Sequence, residues 1–208
     1  MTCDFNFNYI REKDKNLMAQ GQWFNPLTSL YLFPRGESFD AIRTFEVYDP
    51  VRKIYVQNWN YGDALKMQNP YWVNYRNLRE NKKDRYMLGA SLNYQILDWL
   101  NVSGRVRLDN SNNDYTEKAY ASTNTQLTEL SDRGLYGISR SYEKQLYADF
   151  LVSVNKTFGE KWSLQANMGG SFTDMRYDEM AVRGPIADDS KTFAGEKAGL
   201  TNGFYIQN

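Results

Sequence analysis

Arginine and aspartate alternate along one short stretch, Arg105, Arg107 and Asp109, and Asp149 sits in a second stretch of similar grammar. Carboxylates can do acid–base chemistry when their environments push their pKa values apart. Nothing else in the chain supports that use. There is no histidine, which removes most zinc sites, Ser-His-Asp triads and Cys-His dyads. Cys3 is the one cysteine, so no internal disulfide is possible, and it reads as a small strand residue. The run DNSNND, residues 109–114, carries oxygen ligands that calcium accepts. It lacks the glycine and the closing glutamate of an EF-hand loop and reads as the polar start of a loop. Glycine-rich phosphate loops are absent. The expectation is a non-enzyme with no catalytic, metal or cofactor-binding residues. Its arginines and aspartates would form a charge network.

The elements that position these residues have a period of two. Tyr86, Leu88, Ala90, Leu92, Tyr94 and Ile96 alternate with Met87, Gly89, Ser91, Asn93 and Gln95. After Leu97-Asp98-Trp99, the residues Leu100, Val102, Gly104, Val106 and Leu108 alternate with Asn101, Ser103, Arg105, Arg107 and Asp109. The pattern returns around Leu146–Phe158 and Trp162–Thr173, split by a turn at residues 159–161, and Phe5, Phe7 and Tyr9 open the chain in the same way. Such alternation predicts amphipathic β-strands. The predicted strands lie near residues 2–11, 85–97, 99–110, 144–158 and 161–174, with long loops at 12–84, 111–142 and 175–208.

Strand length suggests what meets the apolar face. Soluble strands most often run about 5 to 6 residues. A tilted membrane-crossing strand needs about 9 to 11. Short turns alternating with long loops also fit an outer-membrane barrel, with turns on the periplasmic side. Trp99, Phe158 and Trp162 flank the short turns, whereas Tyr86 and Phe172 stand at the opposite strand ends, as two interfacial girdles would require. The fold expected is all-β, a partial antiparallel transmembrane β-barrel of about five long strands. Arg105, Arg107, Asp109, Asp149, Asn155, Gln165 and Asn167 would line its lumen.

Composition is compatible with that expectation. Formal net charge is zero, from 25 basic and 25 acidic residues, so the basic excess of a nucleic-acid binder is absent. Mean hydropathy is -0.70, but a barrel's lumen and outer loops are polar. No apolar run of about 18 residues encodes a transmembrane helix. The start, MTCDFNFNYIREKDKN, lacks the basic and apolar regions of a signal peptide. The first loop is rich in aromatics, with Pro26, Pro34, Pro50 and Pro70 as punctuation and a short strand expected at Ile54–Val56. Trp23, Trp59, Tyr61, Tyr71 and Trp72 could stack on sugar rings or meet a partner, or they could pin the loop to itself; the last is the preferred reading. The charged run Arg76–Arg85 reads as a solvated loop end.

The segments NPLTSLYLFPRG, NPYWVNYRN and LGASLNYQILDWLNVSGRVRLD resemble the SusC/RagA family of TonB-dependent outer-membrane receptors of Bacteroidetes. The resemblance implies an internal segment of a much longer barrel that also carries a plug domain, which this chain lacks. It implies energy-coupled import of oligosaccharides or peptides. It also implies a SusD-like surface lipoprotein over the barrel and a TonB complex acting through the plug. No binding residue of the family transfers onto this segment. Two alternatives stay open, a soluble β-rich carbohydrate-binding module and a structural or adhesin-like surface protein. With unpaired strand edges, residues 1–208 alone are expected not to fold stably in water or detergent. A soluble, monodisperse 208-residue monomer that melts cooperatively overturns this.

Overall fold

Alternating sequences build strands only where backbone partners exist, and here each long strand finds them in its neighbours. The computed structural model describes residues 1–17, 21, 23, 25–60, 67–159 and 162–186, and the backbone of 205–207. The protein is mostly antiparallel β-sheet. The long strands are β1 (Thr2–Lys15), β4 (Asn77–Leu97), β5 (Leu100–Ala119), β6 (Leu135–Phe158) and β7 (Trp162–Pro185). With the short β8 (Tyr205–Gln207) they form one sheet in the order β1-β4-β5-β6-β7-β8. The sheet does not close on itself among the described residues. β1 pairs only with β4, and β8 covers only Glu179–Ala181 of β7.

Register decides the character of each face. Phe7 pairs with Leu88, Leu88 with Leu108 and Leu108 with Leu146. One step down, Phe5, Ala90, Val106, Ala148 and Phe172 form a continuous row. Most apolar residues of the alternating segments therefore fall on one face and most polar ones on the other, with Met87 and Leu151 on the polar face as exceptions. Among the described residues no second layer covers the apolar face: Phe5 is 80% exposed, Met168 77% and Trp162 76%.

The strands run further than the apolar pattern. β5 continues through residues 109–114, which read as a loop start, and β6 begins at Leu135. β4 begins at Asn77, inside the run read as a loop end, and β7 reaches Pro185. The expected loops shrink accordingly. The physical reason is that a ladder needs backbone partners, not apolar side chains. Beyond Tyr86 and Asn110 both faces are polar, so alternation vanishes while pairing persists, as in Lys82 with Asp114 and Asp114 with Arg140. At the other end the first hairpin closes through Asp98-Trp99 after an irregularity between Gln95 and Leu97. Gly159 opens the second turn with φ of 62°.

The buried core lies at one end of the strands, where Ala119, Leu135 and Val182 meet a small cap. The cap holds helices α1 (Pro26–Tyr31), α2 (Phe39–Arg43) and α3 (Pro70–Arg76) and a hairpin of β2 (Glu46–Asp49) and β3 (Ile54–Gln57). Asn25, Ser38 and Asn69 cap the three helices by accepting from the first-turn amides of Leu27, Asp40 and Tyr71. Proline at the first helical position suits α1 and α3, because it lacks an amide hydrogen that would go unused there. Asp49 Oδ1 accepts from the amides of Val51 and Arg52 and so shapes the hairpin turn. The segment 120–134, joining β5 to β6, folds against this unit. At its end Gly134 has φ of 91°, and a Cβ there would overlap the Ala119 carbonyl.

Trp72 and Leu135 are fully buried and Ile42 nearly so. Trp72 Nε1 donates to Thr123 Oγ1 at 3.0 Å, and Thr123 Oγ1 donates to Asn77 Oδ1 at 2.8 Å. The indole thus joins α3, the 120–134 segment and the head of β4. Trp72→Ala in the full-length protein should cost about 3–5 kcal/mol of cap stability. Hydrogen exchange should show lost protection in α3 and around Thr123, with Tyr94–Val102 pairing unchanged.

Candidate functional site: the polar face and the cap

The polar face carries the charged residues that sequence alternation placed together. Arg105, Arg107, Asp109, Asp149, Asn155, Gln165 and Asn167 share this face by strand register. Arg105 and Asp149 are directly opposed on β5 and β6. The guanidinium reaches both carboxylate oxygens, with Nε to Oδ1 and Nη2 to Oδ2 each at 3.0 Å. Asp109 pairs instead with Arg85 of β4, Nε to Oδ1 at 2.9 Å and Nη2 to Oδ2 at 2.5 Å. Such two-pronged pairs fix both partners in orientation. Arg85 opens the strand expected at 85–97 with the parity of Met87, but its diagonal pairing with Asp109 appears only in the register, where Met87 opposes Asp109.

Arg107 stands between these pairs on β5. No carboxylate pairs with it among the described residues. Its cross-strand neighbours are Gly89 and Tyr147. Gly89 has no side chain beside the arginine. The amide of Asn6 leans over from β1, and a Cβ at Gly89 would overlap it. The result is a groove of about 490 Å³, lined by Asn6, Met87, Arg107, Asp109, Gln145 and Tyr147 among others.

The apolar face ends in aromatics at both edges. At the cap end, Tyr9 lies opposite Tyr86 and donates to Asp84 Oδ1 at 2.6 Å. Asn110 Nδ2 donates to the hydroxyls of Tyr86 and Tyr142 at 2.5 and 3.1 Å. At the hairpin end, Lys156 Nζ lies 4.5 Å from the Trp99 ring centre and 5.3 Å from that of Phe158. Trp162 pairs with Phe158 across the second hairpin.

The loop aromatics pack mainly within the cap. Trp72, a candidate for ligand contact by sequence, is its buried core and cannot meet a solute. Trp59 stacks with Phe33 at 6.4 Å. Tyr71 stacks with Phe45 and Tyr75 at 6.2 and 6.3 Å. Trp23 is half-buried, and its carbonyl accepts from Gln68 Nε2. Tyr61 lies outside the described residues. Arg76 is held by Glu46, Nε to Oε2 and Nη2 to Oε1 both at 2.9 Å, and lies over the rings of Phe45 and Tyr120. A concavity of about 550 Å³ opens between the hairpin and the 120–134 segment, lined by Arg52, Gln57, Trp59, Ser122, Asn124 and Asp132 among others. Several of its polar groups bond within the cap: Gln57 with Ser122, and Arg52 Nη2 with the Asp132 carbonyl.

The cation-binding potential of residues 109–114 is spent on protein partners. Asp109 holds Arg85, and Asp114 holds Arg140 at 3.3 Å. No group of three or more metal-ligating side chains occurs among the described residues. No family model matches this chain, and no curated protein matches it.

Near the cap, charge pairs also pin the sheet's edge. Lys13 Nζ lies 3.0 Å from Glu80 Oε1, and this bond holds the Glu80 carboxyl below the ordinary glutamate range. Burial pushes the Tyr115 hydroxyl up. A carboxyl with a lowered folded pKa stabilises above its unfolded value and loses that contribution as pH falls through the folded value. Exchange protection of the amides around Lys13 and Lys82 should therefore drop as pH falls below the ordinary glutamate range. Glu80→Gln should abolish this pH response while leaving the Phe7–Leu88 region unchanged.

Proposed function

We propose that the chain forms part of the wall of an outer-membrane β-barrel, with the apolar face toward lipid and the polar face toward a lumen. The observation that carries this reading is the apolar band, in register across five strands and edged by tyrosines at one end and Trp99, Phe158 and Trp162 at the other. On β4 the band runs from Tyr86 to Ile96, eleven residues. That matches the roughly 9 to 11 residues of a tilted membrane-crossing strand.

The register supports the tilt independently. Tyr86 is linked through Asn110 and Lys144 to Arg176, yet the unbroken apolar alternation of β7 ends at Phe172, four residues lower, with Asp174 between them on the same face. Four residues are about 13 Å along a strand, and three strand spacings are about 14 Å across the sheet. The band therefore crosses the strands at roughly 40°, within the usual range for membrane barrels. Ten steps of about 3.3 Å at that tilt give a height of about 25 Å, the height of an outer-membrane apolar band. A soluble module would need a second layer over Phe5, Met168 and Trp162, and the described residues supply none.

The role proposed is passive, not enzymatic: the polar face bounds a path for a solute, and the cap stands at its outer mouth. Resemblance to SusC/RagA receptors extends the proposal to TonB-driven import of oligosaccharides or peptides, with a SusD-like lipoprotein as surface partner. Single cysteines placed in the full-length protein test the membrane setting, with Cys3→Ser as background. In outer membranes, Phe7→Cys, Leu92→Cys, Phe150→Cys and Met168→Cys should react with a lipid-dissolved probe and resist a water-soluble maleimide. Ser91→Cys, Gln145→Cys and Asn167→Cys should do the reverse. Equal access of the maleimide to both sets refutes the reading.

A further inference from the structure

We infer that Arg107 is a docking point for a carboxylate carried by the transported solute, an inference that rests on the lumenal placement of the polar face. The charge pattern around Arg107 leaves one cation over. Arg85, Arg105 and Arg107 lie on adjacent strands of one face, but Asp109 and Asp149 are each grasped by a single arginine through both oxygens. Asp4, on the same face in β1, engages the Ser91 hydroxyl instead. Arg85 and Arg105 thus occupy the oxygens of Asp109 and Asp149, and Arg107 between them feels the Asp149 charge but bonds to neither carboxylate.

The neighbourhood is shaped to receive an anion. Gly89 has no side chain to stand against Arg107 from β4; the Asn6 amide takes that place, and the groove lies between it, Arg107 and Tyr147. Asn6 and Gln145 line it with amides that can donate to or accept from a ligand, and Tyr147 supplies the opposite wall. A guanidinium presents five donors in a planar fork that matches a carboxylate. The two flanking ion pairs hold their own arginines in place, so the fork at Arg107 is the one not engaged by a carboxylate. A neutral sugar satisfies amides but gives the guanidinium no counter-charge. An acidic sugar or the C-terminus of a short peptide does both.

The experiment uses the full-length protein purified from membranes, after the cysteine-labelling pattern has established that the polar face is lipid-free. Three probes are titrated calorimetrically: trigalacturonate, trialanine with a free carboxylate, and neutral maltotriose. One or both carboxylate probes should bind more tightly than maltotriose, and which of them does so identifies the source of the carboxylate. Arg107→Gln should weaken that binding by at least about tenfold, as expected for loss of a charge-assisted bond. Arg107→Lys should recover part of it, and the maltotriose signal should not change. If neither carboxylate probe is preferred, or Arg107→Gln leaves the preference intact, the inference is overturned while the labelling pattern still supports the barrel. If the labelling pattern itself fails, the lumenal placement fails with it, and so does this inference.

Discussion

Everything in this protein depends on strand parity. Five strands are registered so that the apolar set of each shares one face with that of the next, as in the row from Phe5 through Ala90, Val106 and Ala148 to Phe172. A slip of one residue between any two strands would send one strand's apolar set to the polar face. Between β5 and β6 it would part Arg105 from Asp149, and between β4 and β5 it would part Arg85 from Asp109. The pairs therefore report the same register as the apolar rows, from the opposite side of the sheet. In soluble proteins this parity is enforced by burial against a second layer. Here the described residues leave the apolar face bare, and in the proposed setting lipid would take the place of that layer.

The cap obeys different rules. Its stability comes from conventional burial around Trp72, Ile42 and Leu135, and from side chains that satisfy loop backbone groups. Asn69 shows how dense that wiring is. Its side chain caps α3 and donates to the carbonyls of Ile42 and Asn58, while its amide donates to Gln57. Such networks hold an irregular segment rigid because each buried polar group would be costly if left alone. The sheet and the cap meet through Arg76, Asn77 and Thr123, through Asn16 against Asn74, and through Arg183 of β7, which reaches Glu129 and the Leu127 carbonyl.

Much of the sheet was legible because side-chain alternation records which face is apolar. The seven polar-face candidates fell together for that reason. Strand ends were not legible, because beyond Asn110 and Lys144 both faces are polar and the periodicity carries no information. The ladder there is held by backbone bonds and by pairs such as Asp114 with Arg140. The pairing of Asp109 with Arg85 also needed register, which depends on the bulged turn after Gln95. In the cap, composition indicated aromatic packing but not which ring would be central. Trp72 is buried because α3 directs it at Thr123, whereas Tyr75 on the same helix is 56% exposed. Arg107 was legible as a polar-face residue but not as the unshared cation. That distinction exists only once its two neighbours have chosen their aspartates.

The ladder above Tyr86 has a further consequence in the proposed membrane setting. From Tyr86 to Asn77 the wall continues for nine residue steps, about 30 Å of strand and roughly 20–25 Å of height at the tilt given by the register. That is close to three Debye lengths at physiological ionic strength, where each is about 8 Å. The cap would therefore stand beyond the electrostatic reach of the membrane surface. A solute or partner arriving there would be attracted or repelled by the cap's own charges, and the charge of the surrounding lipid would scarcely affect its approach.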